Sequence, residues 1–278
     1  MPEKKRIEKF KTKDDFDESA YVQDKIEEAR DFFHKSLDEA YNNDNKVFKT
    51  ISIFSLIDCL AQEYANYPSR DTAKAFCDFV LKFQDKYDYL DKVEPVTLFY
   101  DYEDNIEKII RYPELIDIEP SLCKPELEIS LSKLRLRDET PVKKVIDSSF
   151  LDELLKIIER DKGDKIANRY SNQHTLIRLL YKMRSKAVHE LSHIGGETKW
   201  ERADGFNEPF YRDLTRLYVD EGYIVRDKVY ELVIPSKFLY DLAQNVIDNY
   251  LKHCVDTQSL PFKNNNKYKR KVMITWND

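Results

Sequence analysis

Along most of the chain apolar residues return every three or four positions, the spacing that lines one side of an α-helix. Only near residues 217–234 does the interval shorten toward the alternation of a strand. Residues 1–15 read as a charged arm, and Phe16 to Tyr41 as a helix with Ile26, Phe32, Phe33 and Leu37 on one side, ended by Asn42-Asn43-Asp44-Asn45. From Lys46 to Tyr67 comes the most apolar helix: Phe48, Ile51, Phe54, Leu56, Ile57, Leu60 and Ala61 cover more than half of its circumference, which marks it as central to the core. Pro68 closes it, and Asp71 or Thr72 caps the next helix, through Ala73, Phe76, Phe79, Val80 and Phe83 to about Leu90. Pro95 marks a break, and a further helix is expected over Thr97 to Tyr112. Pro113 to Pro141 reads mostly as loop, with extended pieces such as Leu131 to Leu136.

The second half repeats the helical pattern and then leaves it. Phe150 to Arg160 is a short amphipathic helix; Ser171 or Asn172 caps a long one from about Gln173 to His193, which Gly195-Gly196 stops. Leu217–Val225 and Val229–Ile234, rich in β-branched and aromatic residues and separated by Arg226-Asp227-Lys228, predict a hairpin. Pro235 ends it, and Ser236 to His253 is a last helix with Leu239, Leu242, Val246, Ile247 and Leu251 inward. The expected fold is mostly α, a helical bundle with a small β-hairpin near the C-terminus. The expected organisation is a charged arm and N-terminal helix (1–45), a helical domain (46–253) that holds the hairpin, and a basic tail (254–278) carrying Lys263, Lys267, Lys269, Arg270 and Lys271.

Composition narrows the class. With 278 residues, 41% hydrophobic and 35% charged, the chain can bury a sizeable core. The net charge of −6 means that any phosphate-binding role must come from a local basic patch. Cys59, Cys77, Cys123 and Cys254 are widely spaced without a C-x-x-C pair, which suits reduced, mostly buried thiols. No charged-then-apolar leader opens the sequence and the longest apolar run, Ile51 to Ala61, is interrupted by Asp58, so a cytoplasmic protein without a membrane span is expected.

Candidate chemistry concentrates on Leu179–Gly196, the later part of the long helix and its stop, which holds two of the five histidines and the sole Gly-Gly pair. On a helical wheel Leu176, Leu179, Leu180, Met183, Ala187, Leu191 and Ile194 share one face, and Arg178, Lys182, Lys186, His189 and His193 the other. Arg184 is the anomaly: it falls within the apolar arc, where a guanidinium is costly unless it reaches a carboxylate or serves a function. Two signatures overlap here, R-x-x-x-x-H from Arg184 to His189 and HExxH from His189 to His193. Five residues turn the helix by about 500°, leaving Arg184 and His189 about 140° apart, so they converge only if the arginine reaches round or a second helix completes the site.

Leu180-Tyr181-Lys182-Met183-Arg184-Ser185-Lys186-Ala187-Val188-His189-Glu190 resembles the late helix Leu-Tyr-x-x-Arg-x-x-x-Val-His-Glu that marks the HEPN family (higher eukaryotes and prokaryotes nucleotide-binding). Ser55-Leu56-Ile57-Asp58 in the apolar helix, the Phe-rich helix after it, Glu208-Pro209-Phe210-Tyr211, and Tyr230-Glu231-Leu232-Val233-Ile234-Pro235 leading into the final helix are also similar to family members, so the resemblance spans about residues 46–253. It implies a HEPN-like helical domain that dimerises so that two Arg-His motifs face one cleft and, in active members, a metal-independent endoribonuclease without cofactor. Arg184 and His189 would be catalytic, with Lys182, Lys186, Arg178 and Ser185 toward RNA. Active members usually carry Asn, Asp or His directly after the arginine, where this chain has Ser185. Many relatives are toxins or abortive-infection effectors against phage, acting with an antitoxin or defence partner, and others only bind.

The competing signature implies a zinc peptidase with His189 and His193 as ligands and Glu190 as base. The third ligand is missing from that pattern: Gly196 matches the extended glycine, but Lys199 stands where a histidine belongs.

Overall fold

The structure, a computed structural model, describes residues 18–65, 71–102, 131, 134–190, 206–220 and 223–262; for Glu18, Lys46, 186–190, 215–220 and 223–229 it describes the backbone alone. In chain order the elements are α1 (Glu18–Tyr41), α2 (Lys46–Tyr64), α3 (Thr72–Phe83), α4 (helical over 95–102), β1 (Thr140–Pro141), α5 (Lys143–Ile146), α6 (Ser149–Lys162), α7 (Asp164–Gln173), α8 (Leu176–Glu190), β2 (Phe210–Asp220), β3 (Tyr223–Val233) and α9 (Ser236–Asp256). The fold is mostly helical, with one small antiparallel sheet in the order β1-β2-β3. Among the described residues no helix is long and apolar enough to cross a membrane.

The asparagine run both ends α1 and starts α2, because Asn43 Oδ1 accepts from the amide of Asn45 (2.8 Å) and Asn45 Oδ1 from that of Phe48 (3.2 Å). The α1 residues Val22, Ile26, Ala29, Phe33 and Leu37 share one core with residues of α2, α3, α8 and α9. Residues 18–45, set apart by sequence, therefore belong to the main body, as does the start of the expected tail: Cys254 is buried and Phe262 stacks on Phe33 at 5.8 Å. Two aromatics expected inside lie outside. Phe33 takes the core and its neighbour, about 100° further round, cannot follow, so Phe32 is 59% exposed and meets Phe33 edge-on. Phe48, 54% exposed, lies two turns before exposed Ser55 on the outward stripe of α2. Of the thiols, Cys77 and Cys254 are buried and Cys59 is exposed; all three are free, and Cys123 lies outside the described residues.

α3 starts as expected, with Asp71 accepting from the amide of Lys74 (2.8 Å), but stops at Phe83 rather than near Leu90. The reason is tertiary. Asn249 of α9 donates to the carbonyl of Phe83 (2.8 Å), and Asn245 both accepts from the amide of Asp85 (3.1 Å) and donates to its carboxylate (2.7 Å). The last turn of α3 is thus satisfied from another helix, and the chain turns away to bury Tyr87, Tyr89 and Leu90.

A second core joins Leu98, Phe99 and Tyr102 of α4 to Phe150, Leu154, Ile157 and Ile158 of α6 and Ala167 of α7. Pro95 is the first helical residue of α4, where its missing N–H costs nothing. Glu94, fully buried, caps that helix by accepting from the amides of Val96 and Thr97 (both 2.8 Å), and it also accepts from the hydroxyl of Tyr211 on β2. Burial, with Glu94 beside it, pushes the Tyr211 phenol far above its ordinary range. Tyr211→Phe leaves one oxygen of a buried carboxylate short of a donor. It is expected to cost about 1–3 kcal/mol, read as a fall in Tm by circular dichroism; an unchanged Tm would show that the contact carries no stability.

The remaining departures concern boundaries. Residue 131 is helical and the amide of Leu134 donates to the carbonyl of Leu131 (3.1 Å), so the described residues of 131–136 form no strand; β1 is Thr140–Pro141 instead, and 103–130 lie outside the described residues. Ser171 and Asn172 belong to the last turn of α7 rather than capping α8. The hairpin strands are longer than expected, and Arg226-Asp227-Lys228 lie inside β3, opposite Leu217, Arg216 and Thr215; the last pair of the ladder is Asp220 with Tyr223. Gly195-Gly196, Pro68 and the basic tail beyond 262 lie outside the described residues.

Candidate functional site

α8 begins where the chain cannot continue α7. His174 ends that helix with its ring stacked on Tyr170 (6.0 Å), its Nδ1 2.7 Å from the Tyr170 carbonyl and its Nε2 2.6 Å from an Asp101 carboxylate oxygen on α4. The next residues pair with the turn segment before α4. Thr175 bridges Val93, and the amides of Leu176 and Ile177 donate to the carbonyls of Lys92 (3.0 Å) and Leu90 (2.8 Å). Two of the helix's first amides, which have no partner within the helix, are thus satisfied by distant backbone. His174 is 2% exposed; it fixes the start of the motif helix, and the sequence reading passed over it.

From there α8 packs on α2 and α3, burying Leu176, Leu179, Leu180 and Met183 of the arc that its periodicity predicts and Ile177 besides; the side chains of Ala187, Leu191 and Ile194 lie outside the described residues. Tyr181 hydrogen-bonds to Thr72 at the start of α3 (2.7 Å) and lays its ring against Phe76 (5.6 Å). Arg178 lies near Cys77; burial pushes that thiol up to about 11, and the arginine's charge acts the other way.

Arg184 reaches α2. Its Nη2 donates to Asp58 Oδ2 at 2.5 Å, both side chains are 16% exposed, and the guanidinium carbon stands 5.7 Å from the centre of the Tyr181 ring. The contact is single. Arg184 Nε and Asp58 Oδ1, the atoms that would make a second parallel hydrogen bond, are buried without a partner. One turn along α2, Gln62 is 8% exposed and both ends of its amide are likewise buried and unpaired. Arg184 Nε and Asp58 Oδ1 at the contact, and the Gln62 amide one turn along α2, are thus all buried without partners.

The structure therefore brings Arg184 together with Asp58 and Tyr181. Arg178, Lys182 and Ser185 are half-buried on α8. Lys186, His189 and Glu190 are in the last turns of the helix, with side chains outside the described residues, and His193 lies outside them altogether. Among the described residues no three His, Cys, Asp or Glu side chains gather in a metal-binding arrangement. Asp58 is the site residue that sequence reasoning left without a role. Its signal was present, since it interrupts the apolar run of α2 as Arg184 interrupts that of α8, and two opposite charges each placed in an apolar arc are natural partners. Comparison with protein-family models, with curated proteins and with solved structures found no match to this chain.

Proposed function

We propose that the chain is a HEPN-type, metal-independent endoribonuclease that works as a homodimer through α8, in phage defence or as a toxin. The observation that carries this reading is Arg184: a guanidinium kept on the apolar arc of the motif helix, partly exposed, and tied by one hydrogen bond where two were available. The Asp58 contact offsets that charge only in part, and its place in the Leu180-Tyr181-x-x-Arg184 motif gives the arginine a chemical reason to be there. In the proposed reaction His189 takes the proton of the ribose 2′-hydroxyl or protonates the leaving oxygen. Arg184 stabilises the charge growing on the scissile phosphate, and Lys182, Lys186 and Arg178 hold flanking phosphates beside Ser185. The about 140° between positions 184 and 189 is the reason for the second copy.

One observation favours a second reading. Arg184 already has a carboxylate partner, as a structural arginine would, and with Ser185 after it this suits a non-catalytic RNA-binding or interaction module. RNA cleavage in excess chelator separates the readings, with zinc content and light scattering measured on the same preparation. Cleavage that survives chelation, leaves 2′,3′-cyclic phosphate ends and falls by about 100-fold or more in His189→Ala and Arg184→Ala, but not in His193→Ala, is expected. Stoichiometric zinc with loss of function in His193→Ala would establish the peptidase instead. RNA binding without cleavage or metal would establish the module, and a monomer at tens of micromolar would remove the dimer.

A further inference from the structure

We infer that Asp58 is the positioning residue of Arg184: through its carboxylate, α2 fixes where the motif guanidinium sits. The inference rests on the ribonuclease reading for its kinetic consequence and on geometry alone for its structural one. An arginine at this register position has a long, freely rotating stem, and its neighbours on the arc, Leu180 and Met183, are apolar and buried. The contacts that orient the head group are Asp58 Oδ2 at 2.5 Å and the face of Tyr181 at 5.7 Å; Tyr181 is in turn tied to Thr72. Carboxylate, ring and hydroxyl come from α2, α8 and the first residue of α3, so the arginine is set by the packing of three helices rather than by its own rotamer preference.

The unpaired atoms show where this arrangement departs from a purely structural ion pair. A pair selected for stability would close the bidentate geometry open to Arg184 Nε and Asp58 Oδ1, and would not place the unpaired amide of Gln62 one turn away. Such local departures within a buried core are expected where position serves a site. Asp58 touches no substrate in this account. It acts by holding Arg184 against α2, so that the guanidinium presents one fixed edge to an incoming phosphate and need not be immobilised when RNA binds.

Two readouts test this on the full chain. In a spectrum of protein labelled with nitrogen-15 at arginine, the Nε–H signal of Arg184, identified by its loss in Arg184→Lys, is expected to stand apart from those of freely rotating arginines. It should collapse toward them in the near-isosteric Asp58→Asn and stay apart in Asp58→Glu. An unmoved signal in Asp58→Asn would overturn the inference whether or not the protein cleaves RNA. In the cleavage assay Asp58→Asn is expected to lower kcat by roughly tenfold or more with KM within about threefold, with partial recovery in Asp58→Glu. It should add no loss when built into Arg184→Ala; a full further loss in that background would show that Asp58 does not act through Arg184, and would also overturn the inference. A wild-type protein without cleavage removes the ribonuclease reading and leaves the decision to the spectrum.

Discussion

Arg184→Met alone is expected to lower the free energy of unfolding by about 3 kcal/mol, whereas the same change made together with Asp58→Leu is expected to leave stability unchanged or to raise it. The single substitution strands the Asp58 carboxylate, 16% exposed and with an Oδ1 that already lacks a partner, on a helix whose buried residues belong to the main core. The figure lies at the lower end for a broken buried pair, because both side chains keep 16% exposure and solvent takes up part of the stranded charge. The double substitution removes both desolvated charges, and with them two of the orphaned atoms, and fills the α2–α8 groove with apolar volume of similar size. Urea unfolding of the four proteins in this cycle measures the difference. If the double variant loses as much as the single one or more, the pair is there to hold the helices together, and the functional account of Arg184 loses its physical basis. If it gains, stability is excluded as the reason for placing an arginine and an aspartate in two apolar arcs.

Local pattern carried the fold wherever an element answers to its own sequence. α9 is the clearest case: Leu239, Leu242, Val246, Ile247 and Leu251, which fall on one helical face after Pro235, are all at most 1% exposed. The apolar arc of α8 and the anomaly of Arg184 within it were legible for the same reason. Boundaries failed where a distant segment supplies what the local sequence lacks. α3 stops at Phe83 because Asn245 and Asn249, more than 150 residues on, take over its end. α8 starts at Leu176 because the backbone at Leu90 and Lys92 accepts from its first amides, which the side chains of Ser171 and Asn172 do not do. The charged triplet in β3 looked like a turn, since charges punctuate strands at an edge. The register instead places Arg216 opposite Asp227, a cross-strand pair of opposite sign that a strand interior tolerates, and carries the ladder on to Asp220 and Tyr223. At the site, both partners of the Arg184–Asp58 pair were visible as exceptions. Their pairing was not, because it depends on how α2 and α8 pack.

Alkali is expected to unfold this protein steeply between about pH 10 and 12, because several of its 18 tyrosines can ionise only by leaving the core. Burial holds the phenols of Tyr89, Tyr211 and Tyr250 well above their ordinary range and pushes Tyr87 up to about 12. The Tyr89 hydroxyl has no hydrogen-bond partner and Tyr211 faces the Glu94 carboxylate, so neither site favours an anion. A phenol whose pKa is higher folded than unfolded contributes no pH dependence while both states are protonated. Above the unfolded value near 10 the unfolded chain releases its proton and the folded one does not, so stability is full below pH 10 and falls as the pH climbs toward the folded value. Each such group removes at most about 1.4 kcal/mol per pH unit, and four together at most about 5.5, enough to exhaust an ordinary stability of about 5–15 kcal/mol within one to three units. Absorbance at 295 nm should therefore rise in two stages, exposed tyrosines first near pH 10 and the buried set later, together with the loss of helical circular dichroism. Tyr89→Phe, which removes one of the four without removing a hydrogen bond, should make the pH dependence shallower by about a quarter. A single smooth titration near pH 10 with the helical signal intact would mean that these phenols reach solvent in the folded protein and that the aromatic core around α3 and α9 is not packed as described.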